Sequence, residues 1–163
     1  MKVAIAGSRA VPKGLAPRLL VRFLAALPED ATILLRRGRK SGPGAFELQT
    51  AMVAEMLGLA VEWMEPEPPS ELLVPEQAHD RRALAREATF ARDLEFVVRA
   101  DLVLCFYTVE QEGDEASGTA ALVDKAIAEN RPVYAYAIGE DGVVRSGEHD
   151  PRNDWAELVP DPG

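Results

Sequence analysis

The chain is poor in the residues that build cross-links and metal clusters. Its 163 residues include one cysteine, Cys105, so it cannot form an intrachain disulfide or a zinc site built on several thiolates. Cys105 falls in an apolar run and is predicted to be an inert core thiol. The two histidines, His79 and His149, stand far apart with no cysteine or carboxylate at ligand spacing. We therefore expect both at the surface and predict no metal site.

Long apolar runs and an excess of positive charge are also missing. No run reaches the roughly 18 apolar residues that cross a bilayer, and residues 3–6 are too short for the roughly 7–15 residues of a signal-peptide core. Eighteen Lys and Arg against 27 Asp and Glu give a net charge of −9. This balance disfavours a whole-surface attraction to nucleic acid or anionic lipid, although a local basic patch can still act. We expect a cytoplasmic protein without a membrane partner.

The composition that remains, 47% hydrophobic and 28% charged, is typical of one folded domain of this length. Apolar runs predict strands at residues 3–6, 32–35, 59–63, 102–106 and 133–138. Helical spacing predicts helices at 17–27, 45–57 and 76–99, and from 117 to a break at 130–132. The alternation of strand and helix predicts a three-layer α/β domain with a mainly parallel sheet of about five strands. The domain would span residues 1–138, with a proline-rich internal loop at 65–75 and a polar C-terminal tail at 139–163.

Three glycine-bearing loops follow predicted strands, at the sheet edge where α/β domains bind ligands. They are Gly7-Ser8-Arg9, the loop from Gly38 to Gly44 with Ser41 and Gly42, and Ser117-Gly118-Thr119. Glycine allows a ligand close to the backbone, and free N–H groups at a helix start attract anions. Together the loops predict a cradle for a phosphate or nucleotide. The Rossmann glycine fingerprint and the P-loop lysine motif are both missing, which argues against ordinary dehydrogenase or kinase chemistry.

The concentrated positive charge of the chain lies in Arg36, Arg37, Arg39 and Lys40. We interpret this cluster as neutralising the phosphates of a small ligand. Contact with single-stranded nucleic acid is less favoured, because no aromatic residues are interleaved for base stacking. A solvated loop is the third interpretation.

Two carboxylates are weak catalytic candidates. Glu47 lies in the first turn of the helix after the second loop, where its ordinary role is to interact with the helix dipole. Asp93 follows Arg92 on the long helix, where an ion pair or a solvated position is the alternative. The acidic loop with Glu110, Glu112, Asp114 and Glu115 is predicted to be solvated. An Mg²⁺ ion bridging these carboxylates to a ligand phosphate is an alternative, and no other cofactor is expected.

Four stretches of the chain together resemble a known family. They are MKVAIAGSR (1–9), ILLRRGRKSGPGAFELQTAMVAEMLGL (33–59), FARDLEFVVRADLVLCF (90–106) and SGTAALVDKAIAENRPV (117–133). They resemble the SLOG superfamily, especially its short members related to YspA; the superfamily includes nucleotide-sensing domains, the DNA-processing protein DprA and the LOG phosphoribohydrolases. The resemblance implies a Rossmann-like fold over residues 1–138 that holds a nucleotide or a nucleotide-derived ligand. It also implies that the protein forms a homo-oligomer. At the ligand edge we assign Arg9 as a phosphate or ribose donor and expect Arg92 to reach the ligand as a cation.

The chain departs from the LOG enzymes at their catalytic glutamate. The equivalent position, separated from the Gly-Thr turn by two intervening residues, is Leu122, as it also would be for nucleoside deoxyribosyltransferases. Leucine cannot attack an anomeric carbon or stabilise an oxocarbenium ion, and Glu115-Ala116-Ser117 replaces the LOG glycine-rich tripeptide. We therefore expect a nucleotide-binding protein with a sensing or regulatory role. An N-glycosidase or deoxyribosyltransferase using Glu47 or Asp93 is one alternative, and a DprA-like accessory protein that binds single-stranded DNA is another.

Overall fold

The computed structural model of the protein describes residues 1–7, 16–38, 42–66, 78–108, 118–138 and 144–149. The strands in these ranges are β1 (Lys2–Gly7), β2 (Thr32–Arg36), β3 (Ala60–Met64), β4 (Leu102–Thr108), β5 (Val133–Ile138) and β6 (Val144–His149). The helices are α1 (Ala16–Ala25), α2 (Ala45–Met56), α3 (Ala78–Arg99) and α4 (Gly118–Ala128). None of these helices is both long enough and apolar enough to cross a membrane.

The strands form one sheet in the order β3-β2-β1-β4-β5-β6. Strands β1 to β5 run parallel, and β6 pairs antiparallel with β5. Strand β1 lies between β2 and β4 and pairs with β4 from Val3 opposite Leu102 to Gly7 opposite Phe106. Because the chain reverses its direction of winding at β1, the carboxyl ends of β1 and β4 flank the crevice where such sheets bind ligands. The predicted α/β fold with a mainly parallel sheet is confirmed.

Helices cover both faces of the sheet, which is why its parallel strands are apolar without alternation. On one face, α1 and α2 pack over a core cluster that includes Ile5, Phe23 and Phe106. On the other face, α3 and α4 cover a cluster that includes Phe96 and Leu122. These two cores give the predicted three layers.

Strand β6 is the main element that the sequence analysis does not predict. It lies within the segment interpreted as a polar tail, and it extends the sheet through backbone pairing, with Tyr134 opposite His149. Its sequence, VRSGEH, has too little apolar alternation to signal a strand. The remainder of the tail and most of the proline-rich segment, residues 67–75, lie outside the described residues.

From its sequence, the helix at 45–57 is predicted to have one apolar side, made of Phe46, Met52, Val53, Met56 and Leu57, and the structure divides this set. Phe46 and Val53 are buried against the sheet, whereas Met52, Met56 and Leu57 are exposed. When a helix carries apolar residues on two sides, its sequence does not indicate which side packs on the sheet and which faces solvent. The prediction for these three exposed residues is wrong.

Candidate functional site

Three charged side chains meet at the carboxyl end of β2. Arg36, the last residue of this strand, donates from Nη1 to Oδ1 of Asp93 on α3 over 3.2 Å. Arg92 donates from Nε to the same oxygen over 2.9 Å, and from Nη1 to the carbonyl oxygen of Arg37 over 3.0 Å. Two guanidinium groups therefore share one carboxylate, and α3 is attached to the end of β2.

The cluster of Arg36, Arg92 and Asp93 is largely removed from solvent. The three side chains are only 15%, 10% and 13% exposed, respectively. The guanidinium of Arg36 lies 5.5 Å from the ring centre of Phe96, and its Nε is buried without a hydrogen-bond partner among the described residues. The cluster carries one more positive than negative charge in a poorly hydrated place, which favours an anion nearby.

The contact between Arg36 and Asp93 is not predicted from the sequence. The two residues are 57 positions apart, and local spacing carries no signal for such a pair. Only the parallel sheet order, which places α3 over β2, brings them together.

The basic cluster predicted at residues 36–40 is divided in the structure. Arg37 pairs with Glu65, and its guanidinium lies 5.9 Å from the ring centre of Trp63. Arg36 and Arg37 are thus both engaged by carboxylates. Arg39 and Lys40 lie outside the described residues.

The loop after β2 is closed at its base by its glycines. Gly38 and Gly42 exchange two backbone hydrogen bonds of 3.0 Å each. Gly42 has φ +71°, a left-handed conformation that favours glycine. Ser41, between them, lies outside the described residues.

The start of α2 already holds a carboxylate. Its N-cap is Gly44, which offers no side chain for capping. Glu47, at the third helical position, is almost buried, and its Oε2 lies 2.5 Å from where a Cβ on Gly44 would stand. A carboxylate here interacts favourably with the positive N-terminal end of the helix dipole. It also repels a phosphate from this helix start, so the geometry supports the ordinary role of Glu47.

The first and third glycine loops are described only in part. Gly7 ends β1, and a Cβ on it would stand 2.4 Å from ring atoms of Phe46, so tight packing explains this glycine. Ser8, Arg9 and Ser117 lie outside the described residues. Gly118 and Thr119 are the first two residues of α4, so the predicted helix start is confirmed, and their contact with a ligand stays a prediction.

A groove of about 470 Å³ runs along the first half of α3. Its described lining residues are Arg82, Ala85, Arg86 and Thr89. Because α3 runs toward the amino end of β4, these residues lie beyond Asp93, past the carboxyl edge of the sheet. Neither arginine forms an ion pair with another described side chain, so the groove adds two cations to this edge.

Nucleophilic and metal-assisted chemistry find little support among the described residues. Burial raises the pKa of the Cys105 thiol from 9.0 to about 12, against a smaller lowering by Arg36, so Cys105 is a poor nucleophile. Leu122, which the resemblance predicts at the position of the LOG glutamate, lies on the inner side of α4 and is fully buried in the core. No group of three or more His, Cys, Asp or Glu among the described residues is placed to hold a metal ion. The acidic residues 110–115, considered for Mg²⁺, lie outside this part of the chain.

Comparisons of the chain with protein-family models, with curated proteins and with solved structures find no match. Its function is therefore inferred from the chemistry of the sheet edge and from the sequence motifs.

Proposed function

We propose that this protein binds a nucleotide or a nucleotide-derived ligand through its phosphate, at the carboxyl edge of the sheet, in a sensing or regulatory role. The observation that carries this proposal is the cluster in which Arg36 and Arg92 share the carboxylate of Asp93. The cluster has an excess of positive charge and lies at the carboxyl end of β2, on the edge where parallel sheets of this kind bind ligands.

A phosphate group suits the donors at this edge. Guanidinium groups present planar sets of N–H donors that match phosphate oxygens, and such charge-assisted hydrogen bonds are strong. The buried Nε of Arg36 lacks a partner among the described residues. Arg82 and Arg86 line a groove nearer the N-terminus of α3 and would attract additional negative charge on the ligand.

A nucleotide is favoured over a bare phosphate by three observations. The groove of about 470 Å³ falls within the roughly 300–1,000 Å³ of small-molecule sites. The crevice between the ends of β1 and β4 is where doubly wound sheets bind nucleotides. The resemblance of four stretches of the chain to the SLOG superfamily supports the same ligand class.

Binding is favoured over hydrolysis by the state of the two candidate carboxylates. Oδ1 of Asp93 accepts hydrogen bonds from two guanidinium groups. Glu47 lies over the N-cap of α2. Neither arrangement is that of a carboxylate presented to a sugar ring.

The test is a panel of nucleoside mono- and diphosphates, ADP-ribose, the matching nucleosides and inorganic phosphate. It is read by thermal shift and titration calorimetry on the full chain. At least one nucleotide is expected to raise Tm while its nucleoside does not; a ligand at 100 times its Kd adds about 2.7 kcal/mol of stability. Arg92→Gln is expected to weaken that binding at least tenfold.

The matched control is Arg99→Gln. Arg99 lies on the same helix, about 10 Å further along it, and pairs with Glu62 away from the carboxyl edge. Binding should survive this change. The proposal is overturned if no nucleotide binds, if Arg92→Gln binds as tightly as the wild type, or if chromatography shows a free base released from the nucleotide.

A further inference from the structure

Helix α3 is long enough to extend past the carboxyl edge of the sheet. Arg36, Arg92 and Asp93 meet on this helix at the end of β2, and we call these three residues the inner cluster. The helix begins at Ala78, fifteen residues before Asp93. At the usual helical rise, its first residue lies roughly 22 Å from the inner cluster along the helix axis. Most of this first part of α3 therefore overhangs the edge where the ligand is proposed to bind.

Two arginines on the overhanging part share one side of α3 with Asp93. Arg82 and Arg86 precede Asp93 by eleven and seven positions, which are about three and two helical turns. Both arginines are exposed and line the groove of about 470 Å³. Neither forms an ion pair with another described side chain. We call these two residues the outer arginine pair.

The outer arginine pair is arranged to hold an anion. Arg82 and Arg86 are four residues apart and therefore neighbours on the helix surface. Like charges at this spacing repel each other and destabilise a free helix. A phosphate between the two guanidinium groups removes this repulsion and accepts charge-assisted hydrogen bonds from both.

The two positive groups stand at a separation that the helix fixes. Because α3 is continuous between them, the outer arginine pair lies about 10 to 16 Å from Asp93 along the helix axis. The groove lining between the positive groups is uncharged. Its residues are Ala85 and Thr89, and the hydroxyl of Thr89 donates to the carbonyl oxygen of Ala85 over 2.9 Å. The edge thus offers two anion-binding groups with a neutral surface between them.

We propose that the ligand is a derivative of a nucleoside 5′-diphosphate that carries a further phosphate on its ribose, with one phosphorylated position at each positive group. This inference rests on the proposed function and names the class of nucleotide. The phosphates of a plain di- or triphosphate are joined through single bridging oxygens and lie too close together to occupy both groups. A ribose between two phosphorylated positions lengthens the separation, and the long arginine side chains cover the remainder. The uncharged sugar then lies against the uncharged part of the groove.

The test compares ligands that differ by one ribose phosphate. The pairs are NADP⁺ with NAD⁺, for a 2′-phosphate, and coenzyme A with dephospho-coenzyme A, for a 3′-phosphate. Titration calorimetry on the full chain is expected to show at least one phosphorylated member binding at least tenfold more tightly than its partner. This preference should decrease as salt rises, because the outer arginine pair is exposed to solvent. ATP and ADP form a third pair, in which no comparable preference is expected.

The variant that tests the site is the double change Arg82→Gln and Arg86→Gln. It is expected to reduce the affinity for the phosphorylated ligand to that for its unphosphorylated partner. Both residues are exposed, and the thermal unfolding of the variant without ligand checks that it folds. The matched control is Arg81→Gln, which removes the same charge at an exposed residue about 100° around the helix from Arg82. The preference should survive in this control.

The outcomes separate this inference from the proposed function. If both members of each ribose-phosphate pair bind alike and Arg92→Gln weakens both, the proposed function stands and this inference is wrong. This inference is also wrong if the double variant keeps the preference, if Arg81→Gln removes it as fully, or if ATP gains as much over ADP from the outer arginine pair. If no nucleotide binds at all, both proposals are overturned.

Discussion

Gly7 shows how a single residue can be fixed by packing and not by a ligand. It lies at the end of β1, where the ring of Phe46 from α2 comes so close that a Cβ would overlap its atoms. Phe46 in turn lies against Phe106, with ring centres 5.7 Å apart. Because Gly7 has no side chain, α2 and the ring of Phe46 can pack closely on the sheet next to the predicted ligand edge.

Gly7→Ala is expected to destabilise the protein by about 1–3 kcal/mol, because overpacking forces a shift of the Phe46 ring. Urea unfolding followed by circular dichroism measures this. Gly44→Ala is the comparison, since its Cβ would meet only the flexible end of Glu47; because alanine is a poorer N-cap than glycine, it should cost about 0.5–1 kcal/mol, less than Gly7→Ala.

A double variant tests the cause. Gly7→Ala combined with Phe46→Leu should lose less stability than the sum of the two single changes, because the smaller side chain leaves room for the methyl group. Strict additivity, or a Gly7→Ala variant as stable as the wild type, contradicts the packing explanation.

Cys105 makes stability depend on pH in the alkaline range. Its pKa in the folded protein is about 12, against an ordinary value of 9.0, because burial disfavours the thiolate. The unfolded chain therefore loses this proton first, and the stabilisation present below pH 9 is lost as pH rises toward 12. The loss is about 1.4 kcal/mol per pH unit.

Comparison with Cys105→Ala isolates this contribution from other groups that titrate above pH 9. The variant is expected to be less stable at pH 8, because it leaves a cavity in the core. Its free energy of unfolding should fall less steeply between pH 9 and 10 than that of the wild type. Parallel pH profiles for the two proteins would show that Cys105 is not the cause.

Within the part of the chain that the structure describes, α3 is joined to the sheet by ion pairs as well as by apolar packing. It buries Phe96 and Val97 against the sheet. Three polar contacts also attach it to the sheet. Asp93 binds β2, Arg92 binds the carbonyl of Arg37 just after β2, and Arg99 binds Glu62 on β3. A helix attached in this way depends on keeping its buried charges paired.

Asp93→Asn should lower the stability of this attachment by about 2–4 kcal/mol, because two buried guanidinium groups lose their shared carboxylate. Sulfate or phosphate should then raise the Tm of the variant more than that of the wild type at equal ionic strength. Glu62→Gln, which removes a more exposed partner of Arg99, is the control and should cost less than 1 kcal/mol. An Asp93→Asn variant that keeps the wild-type Tm would show that the cluster of Arg36, Arg92 and Asp93 does not stabilise the packing of α3 on the sheet.

For the whole molecule, the sequence predicts the architecture better than the site. The central strands are apolar runs because helices cover both faces, so their pattern reveals both the strands and the layers. Strand β6 joins through its backbone, and its side-chain pattern gives no signal. The contact of Arg36 with Asp93 depends on which helix lies over which strand. No local pattern encodes that. Turns and helix caps do require particular residues, so the turn glycines Gly38 and Gly42 and the N-cap Gly44 can be recognised locally, whereas their part in binding a ligand stays a prediction.

The central place of β1 has a consequence for how the protein is made. Val3 pairs with Leu102, so one side of β1 has no neighbour until the roughly one hundred residues that separate the two strands have been synthesised. During that interval its apolar residues can be shielded only by α1, β2 and the elements that follow them closely. The speed of translation between β1 and β4, and chaperones that bind the emerging chain, should therefore influence the yield of native protein.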